Sequence, residues 1–389
     1  MGDDGTKVPN GWDRKAHDHW KAGRRQAAVQ GLFGLLDGPS DSPRLVLQIG
    51  YYLFMEGAYG PARHIMEQAA ERFPDQPQLL LNLAVLQSRT GGHQEARASL
   101  ERYLELGGEE PSAYDGLCAA CHKLRDNEAA RRWGARAIEE KSRIAAKGEA
   151  FALGEPRPSG LEIIAFSLWG AHPRYLRGAL HNAIRADGLY PGFQCRFYVD
   201  RSVPPDLLTA LQGTGAELVM EEGEPSNRHR LMRRFLVADD VDVRTYLVRD
   251  CDSLVNAREA AAVAAWRESG KPFHVMRDWW THTDPMLAGM WDGLGGVLPP
   301  LAPLMESYRS KTVETPNWDQ WFLRDCIWPS IRHATLVHDR MFETAGSLPF
   351  PGADPHGNLH VGQNEFAVRK EQQAEELAPF RASVPSLKL

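Results

Sequence analysis

The first third of the chain repeats itself every 34 residues, and this period limits the possible folds more than any other feature of the sequence. Proline and alanine both recur at this interval. Glycine shares the period in three copies, whereas the fourth copy has Arg125. Such a period indicates stacked helical units, each burying its apolar face against its neighbours. The repeated positions are Pro9, Pro43, Pro77 and Pro111; Ala28, Ala62, Ala96 and Ala130; and Gly23, Gly57 and Gly91.

The second copy shows most clearly what kind of unit is repeated. Its apolar residues have helical spacing, its small residues Gly50 and Ala62 let two antiparallel helices approach closely, and Pro74 ends the second helix. This pattern resembles the tetratricopeptide repeat. The resemblance implies an all-α solenoid over residues 1–146, which binds a protein partner or associates with a second copy of itself. The alternative is a stack that only caps and solubilises the rest of the chain.

Composition narrows the classes of protein to which this chain can belong. Its 389 residues carry 45 basic and 51 acidic side chains, a formal net charge of -6, which gives no support for a nucleic-acid-binding surface. Five cysteines are too few for a disulfide framework and indicate a reducing compartment. No apolar signal segment opens the sequence, and no apolar run reaches the ~18 residues that a membrane span needs. We therefore expect a cytoplasmic protein without a membrane span.

After the repeats, the sequence pattern changes. Residues 147–160 form a linker rich in glycine and proline, and residues 161–366 alternate apolar runs with amphipathic segments. This alternation predicts an α/β unit, with a mostly parallel sheet and helices on both faces. Residues 367–389 are expected to be a tail with a short helical turn and a loose end. The predicted strands cover residues 161–168, 195–200, 217–220 and 245–249.

Two carboxylates follow the fourth predicted strand. Asp250 and Asp252 come directly after a buried apolar run, and ligands of such sheets bind beyond the carboxyl ends of the strands. Carboxylates on alternate residues at that edge can both reach one divalent cation. Asp240 and Asp242 have the same spacing but lie in a polar turn. The alternative role for Asp250 is to cap the helix that begins near Ala257.

Five segments in a fixed order extend this observation. They are Arg233-Arg234-Phe235-Leu236, the run YLVRDCDSLVN around Asp250 and Asp252, Ala288-Gly289-Met290, Asp319-Gln320-Trp321-Phe322-Leu323 and Leu359-His360-Val361-Gly362. Together they resemble the metal-dependent glycosyltransferases of the GT-A fold, especially family 8, which includes glycogenin and bacterial galactosyltransferases. The resemblance covers over half of the chain. It implies a Rossmann-like mixed sheet with helices on both faces, a Mn²⁺ or Mg²⁺ cofactor and a UDP-linked sugar donor.

The resemblance implies roles for individual residues. Asp252 and His360 would be direct metal ligands, and Asp250 would contact the metal or the donor ribose. Arg234 would bind the donor sugar or its phosphates, unless it forms only a surface salt bridge or Arg233 takes that role. Further donor contacts would come from Gly289, Gly362, Asp200 and the end of the first strand, Phe166, Ser167, Leu168 and Trp169.

The acid–base chemistry is less determined by the sequence. Asp319 and Gln320 would lie beside the reacting anomeric carbon, but Asp319 could also be a first-turn acid favoured by the helix dipole. The base that activates the acceptor hydroxyl would be Asp319 or Asp278, and the sequence does not choose between them. His356 is an alternative metal ligand to His360, which could also be an ordinary surface histidine.

One departure from the family pattern affects the diphosphate site. After Gly362 the chain reads Gln-Asn-Glu, where family 8 has Lys-Pro-Trp, so the lysine that helps to bind diphosphate is missing. Neither retention of configuration nor exact family membership follows from the motifs. The aromatic side chains of Trp279, Trp280 and Trp291 are candidates for a sugar-binding platform, or else for a packed core.

The sequence thus predicts a hexosyltransferase that moves a sugar from a nucleotide diphosphate to a hydroxyl of a carbohydrate, small-molecule or protein acceptor. The alternative is a non-catalytic repeat scaffold that carries an inactive glycosyltransferase-like unit.

Overall fold

The computed structural model describes residues 8–36, 38, 41–221, 227–308, 317–364 and 370–388. Two compact units divide between Glu140 and Lys141, a few residues before the predicted end of the repeats at residue 146. The predicted boundary after residue 366 lies outside the described residues. Of the helices described, none is both long enough and apolar enough to cross a membrane.

The first unit is built from helix pairs, one for each 34-residue copy. Pro43 and Pro77 each occupy the first helical position, where proline costs no hydrogen bond. The helices are α1 (Arg14–Lys21), α2 (Arg25–Phe33), α3 (Pro43–Met55), α4 (Tyr59–Arg72), α5 (Pro77–Arg89), α6 (His93–Glu105), α7 (Ser112–Lys123) and α8 (Asn127–Ala145).

The recurring small residues explain how each pair packs. All four alanines of the period are completely buried. A Cβ atom on Gly50 would lie 2.2 Å from the Cε of Met66, so glycine lets α3 approach α4. The recurring glycines have positive φ in the turns between paired helices, and Arg125 adopts φ 63° at the same place in the fourth copy. The turn geometry is therefore kept where the glycine is lost.

The second unit contains a seven-stranded sheet. Its order is β3-β2-β1-β4-β6-β5-β7. Strand β6 runs antiparallel to both of its neighbours, and the other pairings are parallel. The strands are β1 (Leu161–Leu168), β2 (Phe193–Val199), β3 (Glu217–Met220), β4 (Val243–Arg249), β5 (Phe273–Arg277), β6 (Met290–Leu294) and β7 (Thr335–Asp339).

Helices cover both faces of this sheet, because alternate residues of each apolar run point to opposite sides. Ile164 and Phe166 belong to a core with α9, α10 and α12, whereas Ile163 and Ala165 belong to a second core with α13, α14 and α15. The helices are α9 (Pro173–Leu189), α10 (Pro205–Gly213), α11 (Asn227–Met232), α12 (Ala257–Glu268), α13 (Leu301–Ser307), α14 (Trp318–Phe322), α15 (Trp328–Ile331) and α16 (Lys370–Leu377).

The C-terminal segment is packed, contrary to the expectation of a loose end. Leu377, Val384 and Leu387 are buried in the same core as α9. Glu376 accepts two hydrogen bonds from Arg185 on α9, at 3.0 and 2.9 Å. The sequence pattern did not reveal this packing because the apolar residues are few and widely spaced.

Candidate functional site

A cavity of about 470 Å³ lies at the carboxyl end of β4. Three segments far apart in the chain line it, together with one residue of α9. Because β1, β2 and β4 are parallel, their carboxyl ends share this edge of the sheet. The lining residues are Arg174 of α9; Asp250, Asp252 and Ser253 after β4; Trp279, Thr281 and His282 after β5; and Asn358, His360, Gly362, Gln363 and Asn364.

Helix α9 holds the turn that carries the two aspartates. A Cβ atom on Gly178 would lie 2.2 Å from the carbonyl oxygen of Cys251, so a side chain there would push the turn away. The buried amide of Asn182 donates to the carbonyls of Cys251 and Ser253, at 3.2 and 2.9 Å. Its Oδ1 accepts the N–H of Val255 at 2.9 Å. These contacts fix the backbone on both sides of Asp252.

Arg234 joins two of the predicted site carboxylates. Its guanidinium is buried and lies 2.9 Å from both Asp250 Oδ1 and Asp319 Oδ2. Its backbone N–H donates to Ser167 Oγ at 2.9 Å. Burial raises the pKa of Asp319, and the charge of Arg234 opposes this rise. Arg234 is thus a buried ion-pair partner, not the surface salt bridge that was its alternative.

The second carboxylate of the Asp-x-Asp pair, Asp252, is paired with a residue that the sequence analysis did not identify. Arg174, in the first turn of α9, forms an ion pair with Asp252 Oδ2. Burial raises the pKa of Asp252, and the nearby charge of Asp250 raises it further. Two carboxylates therefore share a partly buried site, where a cation stabilises their charged forms.

The late segment of the predicted motif pairs directly with the Asp-x-Asp turn. Leu254 N–H donates to the carbonyl of Gln363 at 3.0 Å, and Ser253 Oγ donates to the carbonyl of Gly362 at 3.2 Å. Ser253 also forms an isolated antiparallel bridge with Asn364. Segments more than a hundred residues apart in the chain thus form adjacent walls of the cavity.

His360 is held in a definite orientation. Its ring stacks on the indole of Trp279, with centroids 4.5 Å apart. Its Nδ1 lies 2.7 Å from the carbonyl oxygen of Asn358. Since a carbonyl only accepts, Nδ1 carries the proton, and in the neutral ring Nε2 has the lone pair. Burial lowers the pKa of His360, which favours this neutral form.

Asp278 is a buried anchor for this segment. Its Oδ2 accepts the N–H of Val361 at 2.8 Å, and Arg340 and Arg258 lie 2.9 and 3.2 Å from its carboxylate. Burial raises its pKa, and these three partners oppose the rise. Asp278 is completely buried and does not line the cavity. Its carboxylate is therefore engaged in positioning the backbone next to His360.

The residues can be tested against the divalent cation that the resemblance implies. Oxygen donors from Asp250 and Asp252 suit Mn²⁺ or Mg²⁺, whereas an imidazole nitrogen from His360 is compatible with Mn²⁺ more readily than with Mg²⁺. All three residues line one cavity. His356 does not line it. Within the described ranges, no three His, Cys, Asp or Glu side chains are already grouped as a metal-binding set. The donor atoms of these three residues therefore fit a divalent cation. One of them, the carboxylate of Asp252, forms an ion pair with Arg174 in this structure.

The predicted donor-binding residues of β1 lie mostly in the core. Phe166 stacks on Phe197, and Leu168 is buried in the α9 core. Ser167 is buried, and its hydroxyl oxygen accepts the backbone N–H of Arg234. Trp169 is the half-exposed member of this group. The side chains of Phe166 and Leu168 therefore pack in the core and do not line the cavity.

Asp200 and Gln320 serve mainly to connect segments. Asp200 is buried, and its Oδ2 accepts a hydrogen bond from Arg230 at 2.8 Å. Gln320 accepts the N–H of Ala288 at 2.9 Å and donates to the carbonyl of Met286. Gln320 thereby positions the backbone that leads through Gly289 into β6. Neither Asp200 nor Gln320 lines the cavity.

Of the three candidate tryptophans, Trp279 lines the cavity. Trp291 is completely buried and packs edge-on against Phe235 and Tyr246, so it is a core residue. Trp280 is also buried and lies edge-on to Phe342.

Comparison with known proteins supports the repeat interpretation. Residues 53–121 match the family model of the tetratricopeptide repeat. The chain contains tetratricopeptide repeats. Among curated proteins, none matches this sequence.

Solved structures show distant similarity to the chain. A mutant of the Thermobaculum terrenum O-GlcNAc transferase is 20% identical over 60% of this chain, with a TM-score of 0.38. The chain spans 44% of the length of that transferase. MamA from Desulfovibrio magneticus RS-1 is 15% identical over 34% of this chain and 78% of its own, with a TM-score of 0.30. The family model identifies the tetratricopeptide repeats, and the strand order defines a mixed seven-stranded sheet.

Besides Arg174, sequence reasoning missed other residues of the cavity wall, and two of them position their neighbours. His282 accepts the backbone N–H groups of Asp278 and Trp279 at Nδ1, at 3.0 and 3.1 Å. Burial, with the nearby His360, lowers the pKa of His282 to about 3, so the ring is neutral. Asn358 positions His360 through its carbonyl. Their proximity depends on loop folding, and the only available signal was their nearness in sequence to Asp278 and His360.

Proposed function

We propose that the α/β unit is a metal-dependent glycosyltransferase of the GT-A fold, which moves a sugar from a UDP-linked donor to an acceptor hydroxyl. One observation carries this proposal. Asp250 and Asp252 at the end of β4 and His360 from a distant segment line a single cavity of about 470 Å³. A cavity of this size suits a small ligand.

The architecture supports the GT-A part of the proposal. The sheet is mixed and covered by helices on both faces, and the Asp-x-Asp pair ends a strand at its centre. The five family 8 segments converge in part. Arg234 contacts both Asp250 and Asp319, and Gly289 packs against Asp250.

The proposed roles follow from the contacts. Asp250, Asp252 and His360 would hold Mn²⁺ or Mg²⁺, which neutralises the diphosphate leaving group when bound. Arg234 fixes the orientation of Asp250 and balances its charge. Trp279 lines the cavity wall and would contact a sugar or base there, while its indole stacks on the ring of His360.

The choice of a general base stays between Asp319 and Asp278, and their surroundings differ. Asp278 is enclosed by two arginines and a backbone N–H, which leaves its oxygens engaged. Asp319 is also buried and outside the cavity lining, and its Oδ1 accepts the N–H of Gln320 at 2.9 Å. It has one arginine partner, Arg234, which it shares with Asp250. We therefore favour Asp319 as the base and assign a positioning role to Asp278.

The test is calorimetric titration of the whole protein with UDP, with and without Mn²⁺, and in parallel with GDP. We expect binding of UDP that requires the metal and is lost in Asp252→Asn. Asp242→Asn is the matched control, because Asp242 is an exposed residue of the turn before β4. A folded protein that binds neither nucleotide would contradict the proposal and favour the inactive scaffold.

For the first unit we propose that the tetratricopeptide repeats bind a protein, either the acceptor, another partner or a second copy of the chain. Exposed apolar side chains such as Met55 and Val85 support a binding role. Light scattering coupled to gel filtration measures self-association directly. A monomer at all concentrations would leave a different protein as the partner.

We place this activity in the cytoplasm. All five cysteines are unpaired, which is the state expected in a reducing compartment. Fractionation of the native cells would test this placement, and recovery outside the cytoplasm would contradict it.

A further inference from the structure

Arg174 has a distinctive place in the cavity. Of the described residues that line it, Arg174 is the one lysine or arginine. Its guanidinium forms an ion pair with Asp252, and its side chain is 33% exposed. Three further described arginines lie near the site without lining the cavity. Arg234 is buried between Asp250 and Asp319, and Arg258 and Arg340 bind Asp278.

The lining charges explain why this arginine has two possible partners. Asp250 and Asp252 contribute two negative charges to the cavity wall, and Arg174 contributes one positive charge. Without a metal, the guanidinium compensates Asp252. A divalent cation at the carboxylates would take over that compensation and repel Arg174. The guanidinium, no longer held by Asp252, would then lie at the edge of a ligand cavity, within reach of an anionic ligand.

We propose that Arg174 binds the diphosphate of the nucleotide donor, and that it occupies Asp252 until a divalent cation displaces it. A guanidinium suits this role because its planar set of N–H donors binds phosphate oxygens in a bidentate manner. In the part of the late segment that the structure describes, up to Asn364, Gly362 is followed by the uncharged side chains of Gln363 and Asn364. The cation needed opposite the diphosphate therefore comes from α9.

This inference rests on the proposed function and adds to it a specific order of events. Arg174 would be released from Asp252 only once the carboxylates hold a cation, so metal binding would come first. The released guanidinium would then bind the diphosphate. Removal of Arg174 should consequently change metal binding and nucleotide binding in opposite directions, which a purely structural residue would not do.

The experiment compares the wild-type protein with Arg174→Met, which keeps an unbranched stem but removes the charge. Mn²⁺ alone, and then UDP, UMP and uridine in saturating Mn²⁺, are titrated calorimetrically into each. We expect Arg174→Met to bind Mn²⁺ about two- to ten-fold more tightly, since a competing ion pair is gone. We expect UDP to bind about ten- to a hundred-fold more weakly and uridine to bind unchanged.

Two controls make the outcome decisive. Arg177→Gln changes an arginine one turn further along α9, whose guanidinium donates to the carbonyl of Leu387, and should leave both affinities unchanged. Arg174→Lys keeps the charge without the bidentate geometry and should recover part of the UDP affinity.

Several results would overturn the inference. Unchanged UDP affinity in Arg174→Met would remove the diphosphate role, and weaker Mn²⁺ binding would show that Arg174 supports the turn. A wild-type protein that binds Mn²⁺ but no UDP would refute the proposed function, and the diphosphate role with it. A wild-type protein that binds UDP while Arg174→Met does so equally well would refute this inference alone.

Discussion

At the scale of single residues, the position of the two aspartates depends on Gly178 and Gly289, where a side chain would collide with Cys251 or Asp250. A Cβ atom on Gly289 would lie 2.1 Å from Asp250 Oδ2. Gly289 therefore gives the carboxylate the room to reach both the cavity and Arg234. Gly178 does the same for the backbone of Cys251. The aspartates are thus oriented as much by the absence of neighbouring atoms as by hydrogen bonds.

We expect Gly289→Ala to keep the fold and to displace the carboxylate of Asp250, because the end of a side chain can rotate away from the added methyl group. Mn²⁺ affinity should fall about tenfold, and the free energy of unfolding by about 1–3 kcal/mol. Calorimetry and urea unfolding measure the two effects. Gly188→Ala is the control, since nothing lies within 4 Å of its Cβ position in α9. Wild-type Mn²⁺ affinity in Gly289→Ala would contradict this account of Asp250.

A second residue-scale prediction concerns the repeat turns. Arg125 has φ 63°, which costs an L-residue about 1–2 kcal/mol relative to the right-handed region. We expect Arg125→Gly to raise the free energy of unfolding by up to about 1 kcal/mol, after the entropy cost of glycine. Gly57→Ala, at φ 74° with open space around it, should lower it by a similar amount. Urea unfolding measures both, and a destabilised Arg125→Gly would show that the side chain of Arg125 matters more than its backbone.

At the scale of elements, a buried polar chain crosses four adjacent strands. Arg249 on β4 lies 2.6 Å from Asp292 on β6, which lies 2.6 Å from Nδ1 of His274 on β5. His274 Nε2 lies 2.7 Å from Nδ1 of His338 on β7. Arg249 also donates to Glu259 on α12 at 2.7 Å. These contacts fix the pairing of the antiparallel β6, whose register controls the position of Gly289.

We expect Asp292→Asn to destabilise the protein by about 3–5 kcal/mol, because it leaves the buried charge of Arg249 short of a partner. Burial raises the pKa of Asp292, but Arg249 and His274 outweigh it and hold the pKa below the ordinary 3.8. The unfolded chain therefore binds this proton more readily than the folded protein. The stabilisation is complete above pH 3.8 and is lost as the pH falls further.

Urea unfolding between neutral and acid pH measures this prediction. The difference in stability between wild type and Asp292→Asn should shrink as the pH falls below 3.8. Asp242→Asn, at an exposed position, should stay within about 0.5 kcal/mol of wild type. A difference that grows in acid would contradict the assigned charge state of Asp292.

The C-terminal segment is a second element with a measurable role. Leu377 of α16 is completely buried in the core that also contains α9. We expect Leu377→Ala to cost about 2–5 kcal/mol of stability, whereas the exposed Glu375→Ala should cost less than about 0.5 kcal/mol. Urea unfolding compares the two, and equal stabilities would mean that the segment is not part of the folded core.

At the scale of the whole molecule, the sequence was most informative where small or apolar residues recur. The prediction of tetratricopeptide repeats is confirmed, because buried alanines and turn glycines must recur for helix pairs to stack. Apolar runs likewise located β1 and β3 within the sheet. The antiparallel β6 was not predicted, since its direction depends on pairing with strands distant in the chain.

The cavity could be predicted only in part. The Asp-x-Asp pair was located because the ends of parallel strands share one edge of the sheet. The sequence could not show that Trp279 lines the cavity whereas Trp291 is core, since both lie in one aromatic segment. It also gave no sign of Arg174, which reaches Asp252 from another element. Such contacts depend on side-chain reach in three dimensions.

We propose that Asp250, Asp252 and His360 form one metal and nucleotide site. The most direct measurement is anomalous diffraction at the manganese edge from crystals of the whole protein grown with Mn²⁺ and UDP. We predict a single strong peak in the cavity, in contact with the side chains of Asp250, Asp252 and His360 and next to UDP. A cavity without a peak, or a manganese ion bound only elsewhere, would contradict the account.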